Sequence, residues 1–404
     1  MLALVAVAMI ATMGPWLAAS ASSSSMQRDL GLSLGDAGWL TMMVQFGFVA
    51  GTLALAASGA ADVFSAPRLM AGGAAIAALS TAALALTSTL PALLALRFAA
   101  GVGLACVYPP GMKLAASWFR TRRGVALGVV VGALVVGKAI PFLIAALTDQ
   151  WRAQAMLLGA MTAAGGALAL TAREGPFLAA AARLDPHAIR AVLAQRETRL
   201  ATFGYLGHMW ELYAVWAWFG AFAIAAATEA QSDDAVLHGS LAAFVAIAAG
   251  AIGAILAGQW ADRYGRARIA SLSMLVSGAC CVAAGFVFGA PLWVLYLLAL
   301  VWGFTVVSDS AQFSALVTEH SPHAHVGTAL TLQTCAGFLL TTIPMRWLPS
   351  LATDYGWQWV FLALLPGPIA GMVAMRRSTP ASAESPSCRR TTRSRPAGRR
   401  VQRR

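Results

Sequence analysis

Twelve apolar stretches, most about the length that crosses a bilayer and separated by short polar breaks, leave this chain few folds. A membrane helix needs about 20 mostly apolar residues. The stretches are 2–20, 37–58, 69–88, 91–117, 124–147, 152–171, 200–227, 239–257, 269–289, 291–317, 326–348 and 357–375. Within a bilayer every backbone N–H and C=O must be satisfied internally, so only helices or closed barrels span it. Continuous apolar runs of this length, without strand-like alternation, select helices. The expected fold class is therefore an all-α membrane protein with 12 transmembrane helices. Composition agrees: 59% of the 404 residues are hydrophobic and 11% charged, against roughly a quarter charged in soluble domains.

Basic residues give the expected orientation, because cytoplasmic loops are enriched in Lys and Arg. With both termini inside, cytoplasmic segments hold 22 of the 28 Lys and Arg, and outer loops hold Arg28, Arg152 and Arg346. Without the tail the ratio is still 12 to 3. The expected location is a cell inner membrane, multi-pass. Ala19-Ser20-Ala21 looks like a signal-peptidase site, but Met1 opens directly into the apolar run with no basic leader. The run therefore reads as a true span, and a start codon placed too late is the better explanation. The net charge of +12 is mostly the tail, where ten arginines and one glutamate follow from Arg376 onward. This tail, 377–404, reads as disordered; it is either a solvated extension or a contact with anionic lipid. Cys106, Cys280, Cys281, Cys335 and Cys388 fit no metal or disulfide spacing.

The spans divide six and six. Residues 172–199 form the longest internal polar stretch, expected as a cytoplasmic loop between bundles at 1–171 and 200–376. The halves echo each other. Gly124-Val125-Ala126-Leu127 recurs as Gly327-Thr328-Ala329-Leu330, and Ile140-Pro141 as Ile343-Pro344, both offset by 203. Such repeats suggest a carrier whose solute site lies near mid-membrane, where the halves meet.

Between spans eight and nine runs Gly258-Gln259-Trp260-Ala261-Asp262-Arg263-Tyr264-Gly265-Arg266-Ala267-Arg268. The glycines Gly258 and Gly265 are expected to let two helix ends approach closely. Asp262 is expected to meet a helix N-terminus or an arginine such as Arg263 or Arg266. Asp62 stands in the corresponding place in the first half, in a copy without the two glycines. The loop resembles the signature of the major facilitator superfamily of secondary transporters. The resemblance implies two six-helix bundles related by a pseudo-twofold axis and alternating access by a rocker-switch. Arg97-Phe98-Ala99-Ala100-Gly101-Val102-Gly103 is similar to that family's fourth-span motif. Lys138 stands where antiporters of the family carry the proline of a Gly-x-x-x-Gly-Pro motif. The chain broadly resembles permeases grouped near nitrate/nitrite and organic-anion carriers, but spans two and eight lack the arginines of the nitrate carriers.

Ionisable groups inside a bilayer are costly and mark function by default. Arg97, Gly101 and Tyr108 are expected on one face of span four. Arg97 is either an anion or proton-coupling group, or a tie to backbone carbonyls. Lys138 lies near the middle of span five and is expected to face a cavity or a carboxylate, or to stand neutral without a partner. In span seven His208 and Glu211 share a face, as a proton carrier or as a mutual lock. Trp210 and Tyr213 are expected to line the cavity, and Trp216 and Trp218 to form an interfacial belt. Trp302, Thr305, Asp309 and Gln312 are read as one stripe of span ten, with Asp309 pairing across the cleft to Lys138 or Arg97. Gln333, Gly337 and Thr341 make a milder polar stripe, with Gln333 contacting solute or gluing helices.

The expected activity is secondary transport of a small solute, anionic because two cations face two acids, with Glu211 or Asp309 handling a proton. The alternatives are a proton-driven drug or metabolite exporter and a non-transporting receptor or assembly factor. No nucleotide loop, metal cluster or nucleophile constellation argues for an enzyme, and no cofactor, metal or nucleic-acid partner is expected. The partners are the solute, protons and the bilayer, and the protein is expected to be a monomer.

Overall fold

The computed structural model describes residues 1–120, 123–178 and 187–378, without the side chains of residues 61, 62, 123 and 323. The side chain of Asp62 and the expected tail beyond Ser378 therefore lie outside the described residues. All elements there are helical. Eleven helices are long and apolar enough to cross a membrane. They are, for spans two to twelve, Leu34–Ser58, Ala66–Leu86, Leu90–Ala116, Gly124–Leu147, Trp151–Leu170, Arg196–Glu229, Ala235–Tyr264, Arg266–Val287, Leu292–His320, Val326–Tyr355 and Val360–Arg377. The protein is a multi-pass membrane protein built as two six-helix bundles.

The twelfth expected stretch, 2–20, is a broken helix. It runs Leu2–Thr12, tightens to a 3₁₀ turn at Gly14–Trp16 and resumes at Ala18–Ala21. Pro15 explains the break: it has no N–H to donate and its ring crowds the preceding turn. Spans four and ten are broken as well. Span four stops at Ala105 and restarts at Tyr108, because Pro109 and Pro110 have no N–H to donate back to the carbonyls of Ala105 and Cys106 and their rings crowd that turn. Span ten stops at Ser308 and restarts at Ser310. The two break residues, Cys106 and Asp309, stand 203 positions apart, the offset of the sequence repeat.

Each bundle is drawn together by glycine where backbones touch. Gly101 of span four lies on the Val44 carbonyl of span two, and Gly303 of span ten on the Ala246 carbonyl of span eight. Neither site has room for a Cβ, so the small residue sets the interhelical distance.

The halves meet mainly through spans two with eleven and five with eight. Their contact is uneven along the membrane. A Cβ on Gly132 would sit 3.5 Å from Ala251 and Ile255, whereas one on Gly128 or Gly124, nearer the Gly258–Arg268 hinge, would meet nothing within 4 Å. At the opposite, far end Gly38 packs under Trp218 and Pro349, and Trp218 Nε1 donates to the Met345 carbonyl at 3.0 Å. The seam is therefore shut at the far end and loosens toward the hinge. Exposed ion pairs, Arg28 with Asp149 and Arg152 with Asp29, tie the segment after span one to the start of span six at the far end.

Candidate functional site

Lys138 sits on the seam itself. It is buried in span five, and its Nζ donates to the Tyr213 hydroxyl of span seven at 2.6 Å. The ammonium lies 3.7 Å from the ring centre of Trp16, 4.8 Å from that of Tyr213 and 5.2 Å from that of Trp216. No carboxylate among the described residues lies within ion-pair distance. A lysine at the centre of a membrane helix costs about 2.5–3.5 kcal/mol to insert. Cation–π contact returns about 2 kcal/mol when desolvated. When the amine is protonated the rings offset most of the insertion cost, and no counter-charge stands beside it among the described residues.

These rings belong to a larger cluster that crosses the seam. Trp16 and Phe48 of the first half pack on Phe338 of the second at 5.5 and 4.7 Å, and Tyr213 packs on Phe338 at 5.2 Å. Tyr108 stacks on Phe48 at 6.2 Å. Several buried polar atoms around this cluster have no partner: Trp16 Nε1, Trp216 Nε1 and Gln45 Oε1. Gln45 lies one turn from Phe48, and its amide touches Met345 of span eleven. Buried polar groups without partners are rare, so a group of them beside an unbalanced cation describes a place where a polar molecule fits.

Arg97 stands elsewhere. Its guanidinium is fully buried in the first half and donates to the carbonyls of Pro15 at 2.5 Å, Trp16 at 2.8 Å and Leu40 at 3.0 Å. Pro15 and Trp16 are the residues of the broken turn, where carbonyls lose their helical donors. Arg97 therefore caps the break in span one. This corrects the expectation that Asp309 pairs with Arg97 or Lys138.

In the second half, His208 and Glu211 do not pair with each other. His208 Nδ1 lies 2.7 Å from Asp309 Oδ1, both buried. Among the described residues it is the one polar contact that either atom makes. Tyr205 and Phe313 flank the imidazole, each at 6.0 Å. Glu211 points to a different neighbour set. It accepts from Trp302 Nε1 at 2.8 Å, Ser277 Oγ at 3.0 Å and Cys281 Sγ at 3.5 Å. The stripe expected on span ten is thus divided at Asp309: Trp302 serves Glu211, while Gln312 turns to Arg266 at 3.3 Å.

Gln333 is buried with both amide atoms unpartnered. Its stripe-mate Gly337 packs on Tyr205 and Met209 of span seven. Trp210 is only part-buried, donates to the Ala363 carbonyl at 3.2 Å and lines a groove between spans seven and twelve. Trp216 and Trp218 are each 2% exposed. Of the two residues expected in the cavity, Tyr213 stands beside Lys138 and Trp210 lies in the outer groove, while Trp216, expected in the belt, is buried beside Lys138.

At the hinge, Arg266 meets Glu319 at 2.7 Å and Asp262 at 3.5 Å. Gly265 adopts φ +92, a left-handed conformation that an L side chain rarely holds. Gly258 was expected at a close helix approach, but a Cβ there would meet nothing within 4 Å. Arg263 lies over the Tyr264 ring at 5.2 Å.

Trp16, Phe48, Phe338 and Ser277 were not singled out by sequence reasoning, and Trp302 and Cys281 were named there without the partner, Glu211, that the structure gives them. Pro15 beside Trp16 was the available signal for the first of them; the others are ordinary span residues whose neighbours only the packing reveals.

Comparison with known proteins gives a family and a fold. Residues 4–233 and 233–401 match the family described as Major Facilitator Superfamily. No curated protein matches the chain. Among solved structures, a mutant of the nucleoside transporter NupG matches with TM-score 0.73 and 16% identity, over 93% of this chain and 98% of that one. The inward open conformation of the xylose transporter XylE from E. coli matches with TM-score 0.71 and 15% identity, over 95% and 97%. A D-xylose-proton symporter matches with TM-score 0.70 and 16% identity, over 94% and 97%.

Proposed function

The chain belongs to the major facilitator superfamily and is a secondary transporter; on that premise we propose that it carries a small organic anion, bound at Lys138 between the two bundles. One observation carries the reading: a buried cation on the seam with aromatic rings around it and no carboxylate beside it. The anionic group takes the place of the missing counter-charge. Trp16 Nε1, Trp216 Nε1 and Gln45 supply further polar contacts, and the rings of Tyr213, Phe48 and Phe338 pack on the apolar body of the solute.

The mechanism is rocker-switch alternating access. The halves rock about the solute, and the shut far end opens as the hinge end closes. Lys138 and Tyr213 belong to different halves, so a solute held there feels both. A proton accompanies the solute, carried at the His208–Asp309 contact or at Glu211. In this reading Arg97 acts on the site through the turn that presents Trp16. Positive charge puts the hinge and both termini in the cytoplasm of a cell whose inner membrane holds a monomer. The bundles are 1–171 and 200–376, joined by 172–199 and followed by a basic tail.

A second reading has a specific observation behind it. Unpartnered amide atoms on Gln45 and Gln333 beside aromatic faces suit a neutral solute with many hydroxyls, and the solved neighbours are a nucleoside transporter and xylose transporters by their titles. Uptake into proteoliposomes separates the two. Competition by monocarboxylates, lost in Lys138→Met while the protein still inserts and stays monodisperse, supports the anion. Competition by sugars or nucleosides that survives Lys138→Met refutes it. Extrusion driven by an inward proton gradient makes the protein an exporter.

A further inference from the structure

A second groove, which Lys138 does not line, lies on the outer surface of the seam. Trp39, Met42 and Phe46 of span two form one wall, and Thr342, Ile343, Arg346, Trp347 and Ser350 of span eleven form the other, around a space of about 510 Å³. Sequence counting placed Arg346 in an outer loop, but it lies inside the helix Val326–Tyr355. It stands about six residues past the helix midpoint, roughly 9 Å toward the far end at 1.5 Å per residue. Counted from the helix midpoint, that is less than the hydrocarbon half-thickness of about 15 Å. The side chain is exposed, and so are its neighbours Trp39, Ile343 and Trp347. Its one side-chain hydrogen bond is a long one to Ser350 Oγ, 3.3 Å.

A charged group at that depth must pair, or reach the interface. Arg346 reaches toward the start of span two, where its Nη1 lies within 3.7 Å of the Cβ position of Gly35. The carboxylate in that region, Asp36, is turned to Ser33, accepting from its N at 3.0 Å and its Oγ at 2.6 Å. No acid among the described residues lies within ion-pair distance of Arg346. The site thus combines a cation lacking a counter-ion, hydroxyls on Thr342 and Ser350, and an apolar channel between two tryptophans.

We propose that this groove binds an anionic phospholipid, with the phosphate on Arg346 and an acyl chain between Trp39 and Trp347. Because the walls belong to different halves and the seam is shut at this end, the lipid holds the far end closed and favours the hinge-open state.

The test uses full-length protein, delipidated in detergent. Dioleoylphosphatidylglycerol, dioleoylphosphatidylcholine, dioleoylglycerol and inorganic phosphate are added separately. Retained lipid is counted by native mass spectrometry, and thermal stability is read in parallel. The expected result is retention of phosphatidylglycerol, weakened about tenfold in Arg346→Ala for loss of one charge-assisted contact, and largely restored in Arg346→Lys. Trp39→Leu, which leaves Arg346 intact, weakens both phospholipids. Equal retention in wild type and Arg346→Ala overturns the proposal, as does equal stabilisation by inorganic phosphate or by dioleoylglycerol. Loss of solute uptake at Lys138 would not affect these readouts, so this inference stands or falls separately from the solute reading.

Discussion

Replacing Arg97 by alanine is expected to damage the fold more than it damages solute recognition. The guanidinium donates to three carbonyls, on Pro15, Trp16 and Leu40, at 2.5–3.0 Å. A hydrogen bond from a charged group contributes about 1.5–3 kcal/mol, so three such bonds sum to several kcal/mol. Against this stands the desolvation of a fully buried cation, which the alanine variant no longer bears. Removing one partner of a buried charged network typically costs about 3–5 kcal/mol, and Arg97→Ala belongs in that range. At roughly 2 °C per kcal/mol for a large domain, the melting point falls by about 6–10 °C. Arg97→Lys keeps the charge but offers one point donor in place of a planar fork, and should fall between. The assay is heating of purified protein followed by size-exclusion fluorescence, which reads surviving monodisperse protein even where unfolding is irreversible. A shift below about 2 °C together with complete loss of uptake would refute the reasoning, and would make Arg97 a solute ligand.

Glu211→Gln keeps one acceptor oxygen but turns an amide NH₂ either toward Trp302 and Cys281 or toward Ser277. If Glu211 carries the proton, gradient-driven uptake falls at least about tenfold while solute exchange across equilibrated membranes persists; parallel loss of both refutes that role. Asp29, outside the spans, is held below its ordinary pKa of 3.8 by hydrogen bonds from Trp151 and Arg152. A depressed carboxylate contributes stability that is present above its unfolded value and lost as pH falls through the folded one. Wild type should therefore lose more thermal stability than Asp29→Asn between pH 5 and pH 3, measured by the same heating assay.

The spans were legible because length and hydropathy act locally: twenty apolar residues have few alternatives in a bilayer. Span one could have been read as broken, since Pro15 cannot donate its own hydrogen bond. The break at Asp309 carries no proline and gave no such sign. Partners were the weaker part. Helical spacing places His208 and Glu211 on one face, but it does not say that Asp309 stands opposite the first and Trp302 opposite the second. Trp216 and Trp218 have the composition of an interfacial belt, and only the neighbouring helices bury them. Lys138 was legible as a rare intramembrane charge; that its neighbours are rings from spans one and seven depends on how the two bundles meet.

Asp309 is both the acidic partner of His208 and the joint at which span ten interrupts its helix. The carboxylate that meets the imidazole is therefore carried on the residue where the helix is interrupted. In the proposed mechanism, a rotation of span ten at this joint would carry the carboxylate toward or away from His208, so movement of the helix and the state of that contact would change together.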